Sequence, residues 1–333
     1  MPKSVNKLIP FGLKLSTLEW LQLPTGKLFK ITHFKKIQLR NSISLAAVLL
    51  SLTASIPPSP HLAIALSPLA QAQTERDPVT EADRLLQEGI DWYREGQFEQ
   101  ALTTLQQARS LFQKAGVRQG EAVSLTQIGR VYDNLQQYPE ALDVYEQALA
   151  IAKDIDDRQE EAIVLDYIGL VYNKLEQYPQ ALKSHQDSLA LFQDLGIRRS
   201  EGIVLGNIGV VYLNQNQDEQ ALDFLQKAAT IYREVGDRIG EGIILDYMGL
   251  AYSHMEKYDQ AIDLHQQGLA IFKELNIPRS QAIALYNIGS AYNKFGKLEM
   301  ARESYQQALE IFEEIGDLDG ANATRRLIET IKE

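Results

Sequence analysis

The chain has 333 residues, of which 45% are hydrophobic and 23% charged, with no cysteine. That composition supplies a sizeable core and excludes disulfides, thiolate metal sites and a cysteine nucleophile. Residues 1–73 hold eight Lys/Arg and one Glu, which leaves 25 basic and 43 acidic residues, a net of −18, in residues 74–333; such a body repels phosphate backbones and argues against a nucleic-acid ligand.

The N-terminal segment reads as an address. From Asn41 to Thr74 there is no Lys, Arg, Asp or Glu. Ser42–Ile56 has the length of the apolar region of a secretory signal and follows the basic cluster Lys35, Lys36 and Arg40. Ala70-Gln71-Ala72 supplies the small residues that signal peptidase admits beside the scissile bond. The basic leader and the stretch carrying Pro57, Pro58, Pro60 and Pro68 are longer than such signals usually have. Three readings stay open. In the first the segment is cleaved, the mature chain starts near Gln73, and the protein is exported to the periplasm or the medium. In the second it is an uncleaved membrane anchor, although Pro57-Pro58 ends the apolar run short of the roughly 20 residues a spanning helix needs. In the third the start is assigned too far upstream. All three predict no packed fold before Asp77, with residues 74–80 a linker and any membrane contact confined to the N-terminal segment.

From Glu81 the chain repeats every 40 residues without insertion or deletion, as 81–120, 121–160, 161–200, 201–240, 241–280 and 281–320. Gly recurs at 89, 129, 169, 209, 249 and 289. Trp92, Tyr132, Tyr172, Tyr212, Tyr252 and Tyr292 follow three places later, and Ala returns at 101, 141, 181, 221, 261 and 301. Leu165, Ile168, Gly169 and Tyr172 mark one face of a first helix; Ala181, His185, Ser188, Leu189 and Phe192 mark one face of a second. Lys174–Gln177 is the polar link between them, and Pro139 and Pro179 sit where second helices begin. Gly116, Asp156, Gly196, Gly236, Asn276 and Gly316 end the second helices, each a residue type that accepts the left-handed stop. Gly169 and Ala181 predict a close backbone approach with Tyr172 in the wedge. No hairpin buries its apolar face alone, so stability comes from stacking.

The residues Ile128-Gly129, Tyr132, Ala141, Tyr145 and Ala148 resemble the Leu-Gly, Tyr, Ala, aromatic, Ala motif of the tetratricopeptide repeat family. The period exceeds that family's usual length of about 34, and Lys153, Gln193 and Arg233 stand where its late proline would be. These departures, with Gly236-Asp237-Arg238 at an inter-repeat turn, make the array most similar to the forty-residue subtype of Pins-type (Leu-Gly-Asn repeat) adaptors and, more loosely, kinesin light chains. The resemblance implies an all-α, right-handed superhelical solenoid of six helical hairpins with a capping helix at 321–333. It also implies a non-enzymatic scaffold whose first helices line a concave groove that binds a peptide or helix of a partner. A peptide-sensing regulatory array and a membrane-anchored assembly factor or accessory subunit are the alternatives.

The ends differ as caps should. Asp83 and Glu88 replace residues that are apolar in the other repeats, and at the far end Glu329 takes the glycine place while Arg325 and Arg326 solvate the outer side. Such ends read as those of a complete array.

Chemistry is sparse. No phosphate-cradling glycine loop and no His-x-x-x-His or His-Glu-x-x-His spacing is present, so no catalytic, cofactor-binding or metal-binding residue is assigned. His185 and His265 occupy the slot of Leu105, Tyr145, Leu225 and Tyr305 and read as packing histidines. Asp156-Asp157 and Glu313-Glu314 read as solvated surface, and Asn322-Ala323-Thr324 as a sequon that matters only in a glycosylating host.

The groove that the resemblance implies selects the residues flanking the Ile-Gly-x-x-Tyr core. These are Gln127, Arg130 and Asn134; Tyr167, Asn173 and Lys174; Asn207 and Asn214; Tyr247 and His254; and Asn287, Asn293 and Lys294. Their amides suit a peptide backbone without demanding a sequence. Arg130, Lys174 and Lys294 place positive charge inside an acidic body, favouring acidic side chains or a free C-terminus on the partner.

Overall fold

The computed structural model describes residues 77–331, so the signal, anchor and upstream-start readings lie outside the described residues, as do residues 332 and 333. The described chain is all-α, thirteen helices in six consecutive antiparallel hairpins and one closing helix. The first helices of the hairpins are α1 (Pro78–Arg94), α3 (Arg118–Asn134), α5 (Arg158–Lys174), α7 (Arg198–Asn214), α9 (Arg238–His254) and α11 (Pro278–Lys294). Their partners are α2 (Phe98–Ala115), α4 (Tyr138–Asp154), α6 (Tyr178–Asp194), α8 (Asp218–Val235), α10 (Tyr258–Glu274) and α12 (Leu298–Glu314), and α13 (Leu318–Thr330) closes the array.

Links between helices share one backbone device. Gly116, Asp156, Gly196, Gly236, Asn276 and Gly316, between hairpins, all take positive φ, as their residue types predict. The same conformation recurs inside the hairpins at Gly96, Gln136, Glu176, Asn216, Glu256 and Gly296, so a left-handed residue stands every 20 positions with φ between 51° and 81°. At Gln136 the closure is a Schellman pair: Gln136 N donates to Asp133 O (3.0 Å) and Gln137 N to Tyr132 O (2.8 Å). Gln136, Glu176 and Glu256 adopt it at a cost of roughly 1 kcal/mol each, which the packed helices on either side offset.

A second period of 80 overlies the first. Asp77, Asp157, Asp237 and Asp317 are side-chain N-caps of α1, α5, α9 and α13. The alternate first helices open at Val117, Ile197 and Ile277 without such a cap. Asp157, read from sequence as solvated surface, is thus partly buried and bonded to Glu160 N at 3.0 Å. Gln119, Arg199 and Arg279 each reach forward to the next capping aspartate at 3.0, 2.6 and 3.1 Å. The capping aspartates and the contacts made to them therefore repeat with every pair of hairpins.

Packing gives the repeat glycines a further reason beside the one expected. A Cβ on Gly89, Gly129, Gly169, Gly209, Gly249 or Gly289 would fall 2.4–2.8 Å from the side chain of Leu105, Tyr145, His185, Leu225, His265 or Tyr305, respectively. Each glycine is a socket for one side chain of the second helix, and at Gly89 and Gly209 the second-helix backbone also comes close, at 3.3 Å (Leu105 N) and 3.4 Å (Ala221 O) from the Cβ position. The alanines at 101, 141, 181, 221, 261 and 301 are all fully buried. At the near end Arg84 spans Glu81 (2.6 Å) and Glu88 (2.5 Å) on an exposed face. At the far end Arg325 bonds Glu313 at 2.6 Å, Arg302 donates to the Ile331 carbonyl at 2.9 Å, and Ile331 is buried. Thr324 of the sequon is fully buried and its hydroxyl donates to Gly320 O, while Asn322, the residue that would carry a glycan, is exposed.

Candidate functional site: the inner face of the first helices

Each first helix packs against the first helices before and after it, from α1·α3 through α9·α11, and successive second helices do not touch to the same extent. The first helices therefore lie on the inside of the curve. The row one place after each repeat glycine runs along these inner seams: Arg130, Leu170, Val210, Leu250 and Ser290. Arg130 Cζ stands 4.5 Å from the Tyr93 ring centroid on α1 and 5.5 Å from that of Tyr167 on α5. Tyr167 in turn stacks on Tyr145 at 5.6 Å. Leu170, partly exposed, packs against core residues of the hairpins on both sides.

Polar rungs join neighbouring first helices at one fixed offset, residue i to residue i+41. Asn134 Nδ2 donates to Tyr93 Oη at 2.6 Å, Lys174 Nζ to Asp133 Oδ2 at 2.7 Å, and Asn214 Nδ2 to Asn173 Oδ1 at 3.0 Å. Asn207 Nδ2 donates to both oxygens of Asp166 at 3.0 and 3.1 Å, and Asn287 Nδ2 to Asp246 Oδ2 at 2.7 Å. Two of these rungs are nodes of a larger network. His185 Nδ1 lies 2.7 Å from Asp166 Oδ1 and His265 Nδ1 lies 2.5 Å from Asp246 Oδ1, with both histidines fully buried. Each aspartate thus takes one partner from its own hairpin and one from the next, which ties the internal packing of a hairpin to its register with its neighbour. Both carboxylates are thereby engaged in packing, Asp166 buried and Asp246 partly so.

The predicted residues divide accordingly. Tyr167, Asn207, Tyr247 and Asn287 are only 6%, 1%, 5% and 4% exposed. The expectation that they offer side chains to a partner is corrected: the seams between first helices bury them, and the two asparagine amides are bonded to Asp166 and Asp246. Gln127 is half-buried and accepts from Arg130 Nη1 at 2.7 Å; Asn134, Asn173, Lys174, Asn214 and Asn293 are half-buried. Lys294 is exposed, and His254, also exposed, lies 2.9 Å from Asp218 through Nδ1. The histidine slot at 185 and 265 is a packing slot, as its alternatives Leu and Tyr indicate. Sequence reasoning missed Tyr93, Asp133, Asp166 and Asp246, the other halves of the rungs. The recurrence of Leu-Asp-Tyr at 165–167 and 245–247 was the available signal for the two aspartates. Among the described residues no three His, Asp or Glu side chains are grouped to hold a metal ion.

Comparison with known proteins agrees with this architecture. The family model described as "Tetratricopeptide repeat" matches residues 89–154, 160–234 and 240–314, more than half of the chain. No curated protein matches the chain. Among solved structures, BtubC (BKLC) from P. vanneervenii is similar with a TM-score of 0.57 and 16% identity, over 67% of this chain and 92% of that one. Aspartyl phosphate phosphatase F from Bacillus subtilis is similar with a TM-score of 0.61 and 15% identity, over 88% and 80%. A Rap protein complexed with Competence and Sporulation Factor is similar with a TM-score of 0.59 and 14% identity, over 88% and 92%. At such identities these neighbours share the fold alone. The six stacked hairpins, their glycine sockets and the family match together place this chain in the tetratricopeptide repeat family.

Proposed function

We propose that the protein is a non-enzymatic scaffold that holds a peptide or helix of a partner protein against the inner face of its first helices, after export from the cytoplasm. The observation that carries this reading is the inner row itself. Leu170 and Val210 remain partly exposed between Arg130 on one side and Ser290 and Lys294 on the other, within a body of net charge −18. Apolar side chains left accessible along a seam, with cations near both ends, suit a partner segment that is apolar in its middle and acidic at its flanks. The forty-residue subtype resembling Pins-type adaptors, and the Rap neighbour complexed with Competence and Sporulation Factor, support protein or peptide as the ligand class.

Site-specific photocrosslinking of the full chain in its native host tests it. A photoreactive residue at position 170 or 210 is expected to capture a discrete partner, and one at the exposed outer positions Ala150 or Ala190 is not. Equal capture from both faces would refute the groove. Mass spectrometry of the recovered protein reads its N-terminus: a start near Gln73 supports export, and an intact Met1 overturns cleavage.

A further inference from the structure

Five of the six second helices carry, near their ends, an aromatic ring packed at the first turn of the following first helix: Phe112, Phe192, Tyr232, Phe272 and Phe312, each at most 3% exposed. The residue eight places on is small: Gly120, Ser200, Gly240, Ser280 and Gly320. A Cβ at Gly120, Gly240 or Gly320 would fall 2.4, 2.5 or 2.6 Å from its ring. At the junction of hairpins 2 and 3 both members are exchanged. Ala152 stands where the ring should be, and Glu160, 8% exposed, stands in place of the small residue.

The surroundings of Glu160 suit a protonated carboxyl. Thr126 Oγ1 on α3 lies 2.5 Å from Glu160 Oε1 and 3.1 Å from the Ala122 carbonyl oxygen. A hydroxyl has one proton to give. When Glu160 is protonated it donates to Thr126, which donates to Ala122, and all three groups are satisfied. When Glu160 is ionised it accepts the hydrogen bond of the threonine hydroxyl, which is then withdrawn from the Ala122 carbonyl, and it holds a charge in a buried seam. On α5 the neighbouring charges are the N-cap Asp157, which opposes ionisation, Arg158, paired with Asp194 at 2.9 Å, and Glu161, 3.7 Å from Lys153 of α4. On α3 Arg118 is held by Glu121 at 2.9 Å and by Asp154 of α4 at 3.5 Å. Every one of these cations is engaged by another acid. Burial raises the carboxyl from 4.5 to about 7, against the lowering effect of the Thr126 hydrogen bond and with a further rise from Asp157.

We propose that the junction between hairpins 2 and 3 is a proton-controlled joint, closed when Glu160 carries its proton and loosened when it is ionised. The contacts of Arg130 with Tyr167 and of Lys174 with Asp133 cross the same junction on the inner face. Loosening the joint therefore alters that surface, a consequence for binding that rests on the groove being the binding site.

The folded-state value lies above the ordinary one, so the proton's contribution is complete below 4.5, is lost as pH rises, and is gone above about 7. Between about pH 5 and about pH 8 the folding equilibrium should fall about a hundredfold more in the natural chain than in Glu160→Gln. The test is urea unfolding of the full chain across that range. It is repeated with Glu160→Gln and with Ala152→Phe/Glu160→Gly, the pair found at the other junctions. Both variants should lack the extra loss, and the Glu160 side-chain carboxyl carbon should titrate near 7 by NMR. Parallel profiles in all three proteins, or a carboxyl that titrates in the ordinary range, would overturn the joint. A joint that titrates as expected while crosslinking from position 170 stays constant with pH would support the joint and refute its coupling to the groove.

Discussion

Between α1 and α5 the inner face is tied by groups that water can reach: Tyr93, Arg130, Asn134 and Lys174 are all partly exposed. From α5 onward the strongest ties are sealed, with His185 and His265 fully buried and Asn207 and Asn287 almost so. The offset between rungs is the same in both regions. The repeat backbone thus decides where a rung can stand, and local sequence decides whether it is solvated. A solvated rung can exchange its internal bond for one to a ligand. A buried rung cannot, because breaking it leaves a carboxylate without donors in a low-dielectric seam. On that ground the solvated rungs between α1 and α5 can adapt to a ligand, while the buried nodes at Asp166 and Asp246 hold the register of their hairpins.

The sharpest way to break the comparison is at a buried node. His185→Leu copies the residue at Leu225 but leaves Asp166 short of one partner, and should cost about 2–4 kcal/mol in urea unfolding. Adding Asp166→Gly copies Gly206 and removes the stranded carboxylate, so the double variant should lose less than the sum of the two single variants even though Asn207 gives up its acceptor. Additive costs in the double variant would show that the histidine acts through its packing alone, and the distinction between the two regions would lose its basis.

A smaller effect separates two glycines of one helix, α7. A Cβ on Gly209 would meet Leu225 Cγ at 2.7 Å, whereas one on Gly202 would meet Ile231 Cγ2 at 3.1 Å and Tyr232 at 3.4 Å. Gly209→Ala should therefore destabilise by about 1–3 kcal/mol. Gly202→Ala should lie between neutral and a gain of about 1 kcal/mol, because alanine is the better helix former. Equal losses in thermal unfolding would mean that the socket geometry is not what holds Gly209.

The hairpin architecture was legible because the period is long, exact in register and marked by residue types with a physical reason to recur. The glycine at 169 and the stops at Asp156 and Asn276 are examples. Gln136, Glu176 and Glu256 were not legible as left-handed links, because tertiary packing imposes a conformation their side chains do not announce. The candidate face was half legible. Its position followed from the repeat, but an asparagine that bonds a partner and one that bonds Asp166 look alike in sequence, since burial depends on how far neighbouring first helices close together. Glu160 was invisible for the same reason: its meaning lies in the missing ring at Ala152, 8 positions earlier.

The smallest predicted effect on stability tests the solvated region directly. Arg130→Leu installs the residue that occupies the same row at Leu170. It removes contacts of a guanidinium with the Tyr93 and Tyr167 rings at 4.5 and 5.5 Å, each worth roughly 0.5–1 kcal/mol where water competes. The leucine recovers part of that by apolar contact with the same rings, so the unfolding free energy should change by less than about 1 kcal/mol. Capture of an acidic partner from position 170 should fall by a larger factor, because the inner face loses a cation and the array keeps its shape. If instead unfolding is strongly affected and capture unchanged, Arg130 is a structural node like Asp166, and the first three hairpins are tied no more loosely than the others.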